Sequence, residues 1–337
     1  MILNLKQIKS VTRGVESVER KKGVIIFNRF TKKELNYYKK TEYREKSLST
    51  SCVVMEFKTD GDFIDFKVNA VYGKTRTYFA FDIFVDNEFF DCLNNYNEEE
   101  LKGINYKILK FEIGTYSKRV NLKQGEKTIK VIFPWSVKTE LVSFEVGNAT
   151  YITPIKKEKK VVFYGDSITH GYDTLHPSNA YAMRFSSRFD MEVINKAIGG
   201  EVYVPNLLVK EKITMPNYLF VAYGSNDWKH SSKEKFSNDC IEFYKKLAVK
   251  YPNVKTIVIT PIYRVDYSLK TAFDSFLEVE NIIKKVCSNY NNITVVSGWE
   301  FNLHDKSYFV DGLHPTDSAF EIYFNDLISK IDNIIEK

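Results

Sequence analysis

A serine next to an aspartate follows a short apolar run near the middle of the chain. The apolar residues 161–164 are typical of a strand buried on both faces of a parallel sheet, and Gly165 ends the run. Asp166 and Ser167 come next, so their side chains should lie at the carboxyl edge of the sheet, where open α/β folds bind ligands. Ser167 is therefore a candidate nucleophile, although the same pair would also serve to cap a following helix.

An imidazole that could activate this serine lies near the other end of the chain. The chain contains five histidines, and none of them precedes residue 160. His314 differs from the others because Asp311 precedes it by three residues and Pro315 restricts the turn after it. A carboxylate on one ring nitrogen fixes the tautomer that leaves the other nitrogen free to accept a serine proton. We therefore expect Ser167 and His314 to lie side by side in the fold, with Asp311 behind the imidazole.

Two other strand-like runs end in groups that donate hydrogen bonds. A glycine pair that ends at Gly200 follows residues 192–195, and glycine there would free backbone N–H groups to point into a cleft. Asn226 follows the apolar run 218–223 and carries a side-chain amide. Each of the two would also be explained by an ordinary tight turn. Together with Ser167 they predict a cluster of donors at one edge of a sheet.

The second half of the chain alternates between apolar runs and segments with helical spacing. This alternation indicates an α/β domain with a parallel sheet and helices on both faces. Functional side chains in such a domain lie at the carboxyl ends of the strands. The predicted strands are 161–164, 192–195, 218–223, 256–260 and 293–296, and the predicted helices are 180–189, 233–250, 269–288 and 317–334.

The first half of the chain has a different pattern. Aromatic and β-branched residues alternate with polar ones in short runs that turn signals separate, which is typical of half-buried antiparallel strands. We predict an all-β sandwich of jelly-roll type over residues 1–155 and the α/β domain over residues 156–337, joined by the charged segment 154–160. Residues 1–20 and 31–48 are too polar to assign. The predicted strands are 23–27, 53–58, 62–68, 78–86, 106–113, 127–133 and 140–146.

Composition argues against several classes of protein. The 337 residues are 44% hydrophobic and 27% charged, which is ordinary for a globular protein. The net charge of +6 comes without a basic reading motif, so we expect no nucleic-acid partner. No run approaches the roughly 18 apolar residues of a membrane helix, and the first residues do not resemble a signal peptide, so we expect a cytoplasmic protein without a membrane partner. The four cysteines are widely spaced, and no cluster of ligands predicts a metal or another cofactor.

The four polar segments together resemble the signature blocks of the SGNH hydrolases, also called GDSL esterases and lipases. Gly-Asp-Ser-Ile-Thr-His-Gly at 165–171 is similar to the first block, and Asn195 followed by Gly200 is similar to the second. Gly-Ser-Asn-Asp at 224–227 is similar to the G-x-N-D third block, and Asp-Gly-Leu-His at 311–314 to the D-x-x-H fifth block. Their order and spacing agree over the second half of the chain.

This resemblance implies a flavodoxin-like, three-layer α/β/α hydrolase fold and a serine mechanism without a cofactor. Ser167, His314 and Asp311 would be the catalytic triad. The oxyanion hole would use the N–H groups of Ser167 and Gly200 and the side-chain amide of Asn226. With a histidine base near its reference pKa of about 6.5, kcat/KM should fall below about pH 6.

Some carbohydrate esterases of this clan carry an amino-terminal β-sandwich, and the two-domain layout of this chain is similar. The resemblance therefore implies a small acyl ester, acetyl first of all, on a small molecule or an oligosaccharide. Trp228 could offer an apolar platform for a sugar ring or could instead pack between a loop and a helix, and His170 could line the cleft. The alternatives are a lipase or thioesterase for longer acyl chains, and a carbohydrate-binding protein with a secondary hydrolase domain. The acyl chain, the alcohol and the oligomeric state stay open.

Overall fold

The structure, a computed structural model, divides into two compact units. It describes residues 1–101, 104–209, 211 and 215–335, so residues 102 and 103 of the predicted sandwich and residues 210, 212–214, 336 and 337 of the predicted α/β domain lie outside the described residues. The first unit comprises Met1–Glu158 with Leu175–Asn179, and the second comprises Lys159–Thr174 with Ala180–Lys337. Among the described residues, no helix combines the length and the apolar character that crossing a membrane requires.

The first unit consists of two antiparallel sheets and short helices. Its strands are β1 (Thr12–Arg13), β2 (Ser17–Lys21), β3 (Val24–Asn28), β4 (Val54–Thr59), β5 (Phe63–Tyr72), β6 (Ala80–Val85), β7 (Glu88–Asn94), β8 (Thr115–Asn121), β9 (Lys127–Ile132), β10 (Val137–Gly147) and β11 (Ile152–Pro154). Its helices are α1 (Leu5–Val11), α2 (Lys32–Tyr38) and α3 (Glu98–Leu101). One sheet has the order β1-β4-β9-β6-β7, with β11 also paired to β4, and the other has the order β2-β3-β10-β5-β8.

The inner faces of the two sheets share one apolar core. Side chains of β5 alternate between buried and exposed, as the period-two pattern predicts. Phe66 of β5 packs against Phe81 of β6 with ring centroids 5.8 Å apart, and Phe57 of β4 packs against Phe144 of β10 at 6.0 Å. These contacts join one sheet to the other, so the antiparallel β-domain predicted from the sequence is confirmed. Its jelly-roll topology stays a prediction.

One predicted strand of this unit, at 106–113, is wrong. The segment contains only a short 3-10 turn, and side chains satisfy the backbone groups that a neighbouring strand would otherwise bind. The hydroxyl oxygen of Thr77 accepts the N–H of Phe111, and the amide of Asn95 donates to the Glu112 carbonyl. The rings of Tyr106 and Phe111 both pack against Tyr78, so burial of aromatic rings produces the apolar pattern without a strand.

The second unit has the predicted parallel sheet flanked by helices. The strands run in the order β13-β12-β14-β15-β16, all parallel, which is the flavodoxin-like order. These strands are β12 (Lys160–Gly165), β13 (Glu192–Asn195), β14 (Tyr218–Ala222), β15 (Lys255–Ile259) and β16 (Ile293–Val296). The helices are α4 (Ser167–His170), α5 (Tyr181–Phe189), α6 (Ser225–His230), α7 (Lys233–Lys250), α8 (Glu278–Cys287) and α9 (Asp317–Ile331).

The predicted helix at 269–288 is too long. Only α8, its second half, is helical. Before α8 the hydroxyl oxygen of Thr271 accepts the N–H of Phe273, and Asp274 has the positive φ of 84° that an α-helix does not allow. The apolar residues of the first half pack as a loop instead.

Candidate active site

Ser167 lies in the turn that joins β12 to α4. Gly165 ends β12, and a Cβ atom there would clash with the Thr169 side chain and lie 2.9 Å from the carbonyl oxygen of Ala222 on β14, so this turn has no room for a side chain. Asp166 caps α4, with its Oδ1 accepting the N–H of Ile168 at 3.0 Å. The same turn therefore caps α4 and holds Ser167 at the edge of the sheet. Burial raises the pKa of Asp166 to about 6.

His314 lies in a tight loop between β16 and α9, and it contacts Ser167 directly. The Nε2 atom of His314 is 2.8 Å from the Oγ of Ser167, and its Nδ1 atom is 2.9 Å from the Oδ2 of Asp311. The other carboxylate oxygen of Asp311 accepts the N–H groups of Leu313 and His314. A hydrogen bond from the Val310 N–H to the His314 carbonyl closes the loop at 2.9 Å. The loop backbone therefore fixes both the acid and the imidazole.

A second carboxylate, which the sequence reasoning missed, faces the same imidazole. The Oδ2 of Asp173 is 3.3 Å from the Nδ1 of His314, and Asp173 is fully buried. Burial by itself would lower the pKa of His314, but the nearby carboxylates of Asp173 and Asp311 outweigh it and raise that pKa to about 9. The sequence feature that could have identified Asp173 is its position, an acidic residue six residues after Ser167.

The two expected donors of the oxyanion hole follow the strands on either side of β12. Gly200 comes after β13 with a φ of 88°, in the left-handed region that favours glycine. Asn226 lies in α6, after β14, and is buried. One N–H of its amide donates to the Glu201 carbonyl at 3.0 Å. The amide group has two N–H bonds, so this contact orients it and leaves one further donor for a ligand.

Buried polar groups fix these two loops to each other. The Oδ1 of Asp227, next to Asn226, accepts the N–H of Tyr203 at 3.1 Å, and the hydroxyl of Tyr223 donates to the Glu201 carboxylate at 2.9 Å. Burial raises the pKa of Asp227 to about 7, and it raises the pKa of Tyr223 well above its ordinary value. The Tyr223 hydroxyl therefore stays protonated and able to donate. The loops after β13 and β14 form one hydrogen-bonded unit.

The two predicted substrate contacts are corrected. Trp228 is fully buried, packs edge-on against Phe276 at 5.1 Å and donates its ring N–H to the Asp274 carbonyl, so it is not an exposed platform. His170 is also fully buried, and its Nδ1 accepts the N–H of Gly199 at 3.1 Å. Both side chains support loops of the site. Neither one lines its surface.

The only group of described side chains with metal-ligand spacing coincides with this site. Atoms of Asp173, Asp311 and His314 lie within 4.8 Å of one another. The Nδ1 of His314 lies 2.9 Å from the Asp311 carboxylate and 3.3 Å from the Asp173 carboxylate, which suits an N–H that donates to Asp311 beside a second negative charge. We assign the group to the hydrogen-bonded system of the imidazole, and the absence of a metal requirement stays a prediction.

The chemistry open to this arrangement is proton transfer from a hydroxyl to an imidazole. The series runs from the Ser167 hydroxyl through His314 to the two carboxylates, at the carboxyl edge of the parallel sheet. An imidazole that carries its proton on Nδ1 accepts the hydroxyl proton at Nε2, and the carboxylates stabilise the resulting cation. Such a group can attack an acyl carbonyl.

The residues of this site lie in a segment that matches a known protein family. Residues 163–322 match the model of the GDSL-like Lipase/Acylhydrolase family. This range contains Ser167, Gly200, Asn226, Asp311 and His314. No curated protein gives a significant match to the chain.

Several solved structures share the fold over most of the chain. A salicylyl-acyltransferase from a tetracycline biosynthetic pathway is 15% identical, with 96% of this chain and 94% of that chain covered and a TM-score of 0.77. An acetyl xylan esterase from the rumen bacterium Butyrivibrio proteoclasticus is 13% identical, with 99% and 98% covered and a TM-score of 0.66. A family two carbohydrate esterase from Clostridium thermocellum, solved in complex with cellohexaose, is 15% identical, with 85% and 93% covered and a TM-score of 0.64. At these identities the likeness is one of fold.

Proposed function

The segment 163–322 is a GDSL-like lipase/acylhydrolase domain, and on this premise we propose that the protein is a serine esterase for small acyl esters. Ser167 is the nucleophile, His314 the general base and Asp311 the acid that orients the imidazole. The observation that carries the proposal is the contact of 2.8 Å between the Ser167 Oγ and the His314 Nε2, with Asp311 at the other ring nitrogen. The base thus lies within hydrogen-bond reach of the nucleophile on one side and of the orienting acid on the other.

The reaction has two halves that use the same groups in opposite directions. The Ser167 oxygen attacks the acyl carbonyl while the Nε2 of His314 takes the hydroxyl proton. The N–H groups of Ser167 and Gly200 and the amide of Asn226 receive the oxyanion. Collapse expels the alcohol, which takes the proton from His314, and leaves an acyl-enzyme. Water then attacks this ester with His314 again as the base, and the acid and the free serine are released.

We place the acetyl ester of a carbohydrate first among the substrates. This choice depends on a partly exposed aromatic patch that comprises Tyr263, Tyr267, Trp299 and His304. Such a surface favours an alcohol that contains a ring, as a sugar does. Its rings stand 4.8 to 5.9 Å apart, and Tyr263 also packs against Phe309, two residues before Asp311. This patch takes the role that the sequence reasoning gave to Trp228. The fold shared with an acetyl xylan esterase agrees with the same choice.

Hydrolysis of p-nitrophenyl acetate tests the nucleophile. We expect Ser167→Ala to lower kcat by on the order of 10⁴–10⁶, because loss of the nucleophile leaves only binding and the oxyanion hole. Ser329→Ala, at an exposed serine of α9, is the matched control and should keep the wild-type rate. Equal rates for wild type and Ser167→Ala would contradict the proposal.

Trp299→Ala tests the carbohydrate. The ring should contribute to binding of the sugar and not to binding of a small aryl ester, so KM for an acetylated xylo-oligosaccharide should rise about threefold to tenfold while the kinetics of p-nitrophenyl acetate stay unchanged. A series of p-nitrophenyl esters from acetate to decanoate fixes the acyl chain. Faster turnover of the long esters would contradict the acetyl preference and favour a lipase or thioesterase.

A further inference from the structure

Two carboxylates, and not one, face the Nδ1 of His314. Asp311 approaches along its own loop at 2.9 Å, and Asp173 approaches at 3.3 Å from the turn that follows the α4 helix of Ser167. The Asp311 oxygen lies at hydrogen-bond distance from this nitrogen, and the Asp173 oxygen lies within ion-pair distance of the same nitrogen. Asp173 is fully buried, so water does not screen its charge from the imidazole.

From this geometry we propose that Asp173 is a second positioning carboxylate for His314, which shares with Asp311 the tasks of fixing the tautomer and stabilising the imidazolium. The inference rests on the proposed function, because it assigns a role within the same serine mechanism. Asp173 acts through His314 and does not touch the reacting atoms. Ser167 and one of the two acids that support His314 thus come from one segment of seven residues, 167–173.

The backbone holds Asp173 in a conformation that aspartate and asparagine tolerate better than other side chains with a Cβ. Its φ is 67°, in the left-handed region. The next residue, Thr174, is buried and its hydroxyl donates to the Gly171 carbonyl at 2.9 Å, which closes the turn. The carboxylate is therefore directed at the imidazole by the turn itself.

The remaining titratable and charged groups near His314 do not duplicate this role. Tyr172, next to Asp173, packs its ring against the imidazole at 5.3 Å. Asp166 at the start of α4 interacts electrostatically with both His314 and Arg264. The raised pKa of His314 has its main favourable causes in Asp173 and Asp311 alone. Both carboxylates favour the protonated imidazole that forms when Ser167 attacks.

Asp173→Asn is the informative substitution. Asparagine tolerates the left-handed backbone and keeps an oxygen that can accept the Nδ1 proton, so it removes the charge with little change in shape. Asp311→Asn makes the same change on the other side, and the double variant removes both charges. Thr174→Val is the matched control, because it weakens the same turn and leaves both carboxylates in place.

The kinetic test compares kcat/KM against pH for these variants with p-nitrophenyl acetate. Each single Asp→Asn variant should lose about 10- to 100-fold, because the remaining carboxylate still holds the tautomer. The double variant should lose on the order of 10⁴, as when the only triad acid is replaced. The acid limb of each single variant should move to lower pH by about one unit, whereas Thr174→Val should leave it in place. A loss of the full 10⁴ in Asp311→Asn alone, or an unmoved acid limb in Asp173→Asn, would overturn the proposal.

A measurement without substrate separates this inference from the proposed function. The imidazole of His314 is titrated by NMR in the full chain, with its signal assigned through His314→Gln. Asp173→Asn should lower its titration midpoint by about one pH unit, whether or not the protein hydrolyses esters. An unchanged midpoint would refute the role of Asp173, while a shifted midpoint in a protein without esterase activity would refute only the proposed reaction.

Discussion

The base side of the site (Asp173, Asp311 and His314) and its donor side (Gly200 and Asn226) differ in what holds them. On the base side, two acids surround an imidazole, and the contacts depend on charge. On the donor side, the Asn226 amide is oriented by a backbone carbonyl, and Gly200 lies in a turn with a positive φ. Neither donor changes its charge between pH 5 and 9. The base side should therefore dominate the response to pH, and the two donors themselves should add nothing to it.

This difference follows from the task of each side. The imidazole must accept a proton and return it, so its surroundings must stabilise one protonation state without preventing the other. The oxyanion donors must already point at the position where negative charge develops, and they gain nothing from titrating. Mutations on the two sides should consequently have distinguishable signatures.

The largest effect should come from the base itself. His314→Gln removes the group that takes the Ser167 proton, so kcat should fall by on the order of 10⁴–10⁶. The measurement is steady-state hydrolysis of p-nitrophenyl acetate, with thermal unfolding to show that the variant is folded. His230→Gln, at an exposed histidine outside the aromatic patch, should retain the wild-type rate. Retention of a tenth of the activity in His314→Gln would remove the imidazole from the base role.

Asn226→Ala should have the next largest effect, and one of a different kind. Loss of one oxyanion donor costs on the order of 10²–10³ in kcat, with little change in KM, because the donor acts mainly in the transition state. The acid limb of the pH profile should stay where the wild type has it. A shifted limb would show that the donor side is coupled to the titration of His314 and does not act separately from the base side.

The sequence predicted the two residues of the donor side and two of the three residues of the base side, and the reasons lie in particular residues. The apolar runs of the parallel strands fix β13 and β16 to the residue, and each polar motif follows such a run. Strand ends therefore locate Ser167, Gly200 and Asn226 without knowledge of tertiary contacts. His314 is recognisable because its acid is only three residues away.

What the sequence could not predict depends on backbone direction and on distant packing. Asp173 reaches His314 because of its positive φ, and nothing in its residue type states that conformation. Trp228 is buried by Phe276 and by the Asp274 carbonyl, both from a segment that looked helical and is a loop. In the first unit, segment 106–113 has the apolar pattern of a strand because its rings pack on Tyr78.

The pH profile of the wild type should show how strongly the two carboxylates of the base side affect the imidazole. An ordinary imidazole would place the acid limb of kcat/KM near pH 6.5, but the two carboxylates raise the pKa of His314 to about 9. Because the neutral form is the base, kcat/KM should fall about tenfold for each pH unit below that pKa. The measurement is kcat/KM from pH 5 to 10, corrected for spontaneous hydrolysis. A limb centred at pH 6.5 would mean that the carboxylates do not jointly favour the imidazolium.

Tyr223→Phe should have a smaller effect, mainly on stability. The variant removes a hydroxyl that donates to the buried side-chain carboxylate of Glu201. The backbone carbonyl of the same residue orients Asn226. A hydrogen bond to a charged group contributes about 1.5–3 kcal/mol to the free energy of unfolding, and kcat should fall less than tenfold. Tyr244→Phe is the matched control, since its hydroxyl pairs with that of Tyr203 and should affect stability alone. A loss of kcat equal in both variants would show that Glu201 does not support the donor side.

The smallest expected effect is that of a chelator. Metal at Asp173, Asp311 and His314 would replace the Nδ1 proton by a cation and prevent the imidazole from acting as a neutral base held by two acids. If the base side works as proposed, dialysis against EDTA should change kcat/KM by less than about twofold and leave the acid limb in place. A loss of activity that Zn²⁺ restores would turn the same three side chains into ligands. The base side would then be held by a bound metal ion, and not by two carboxylates that face the Nδ1 proton of His314.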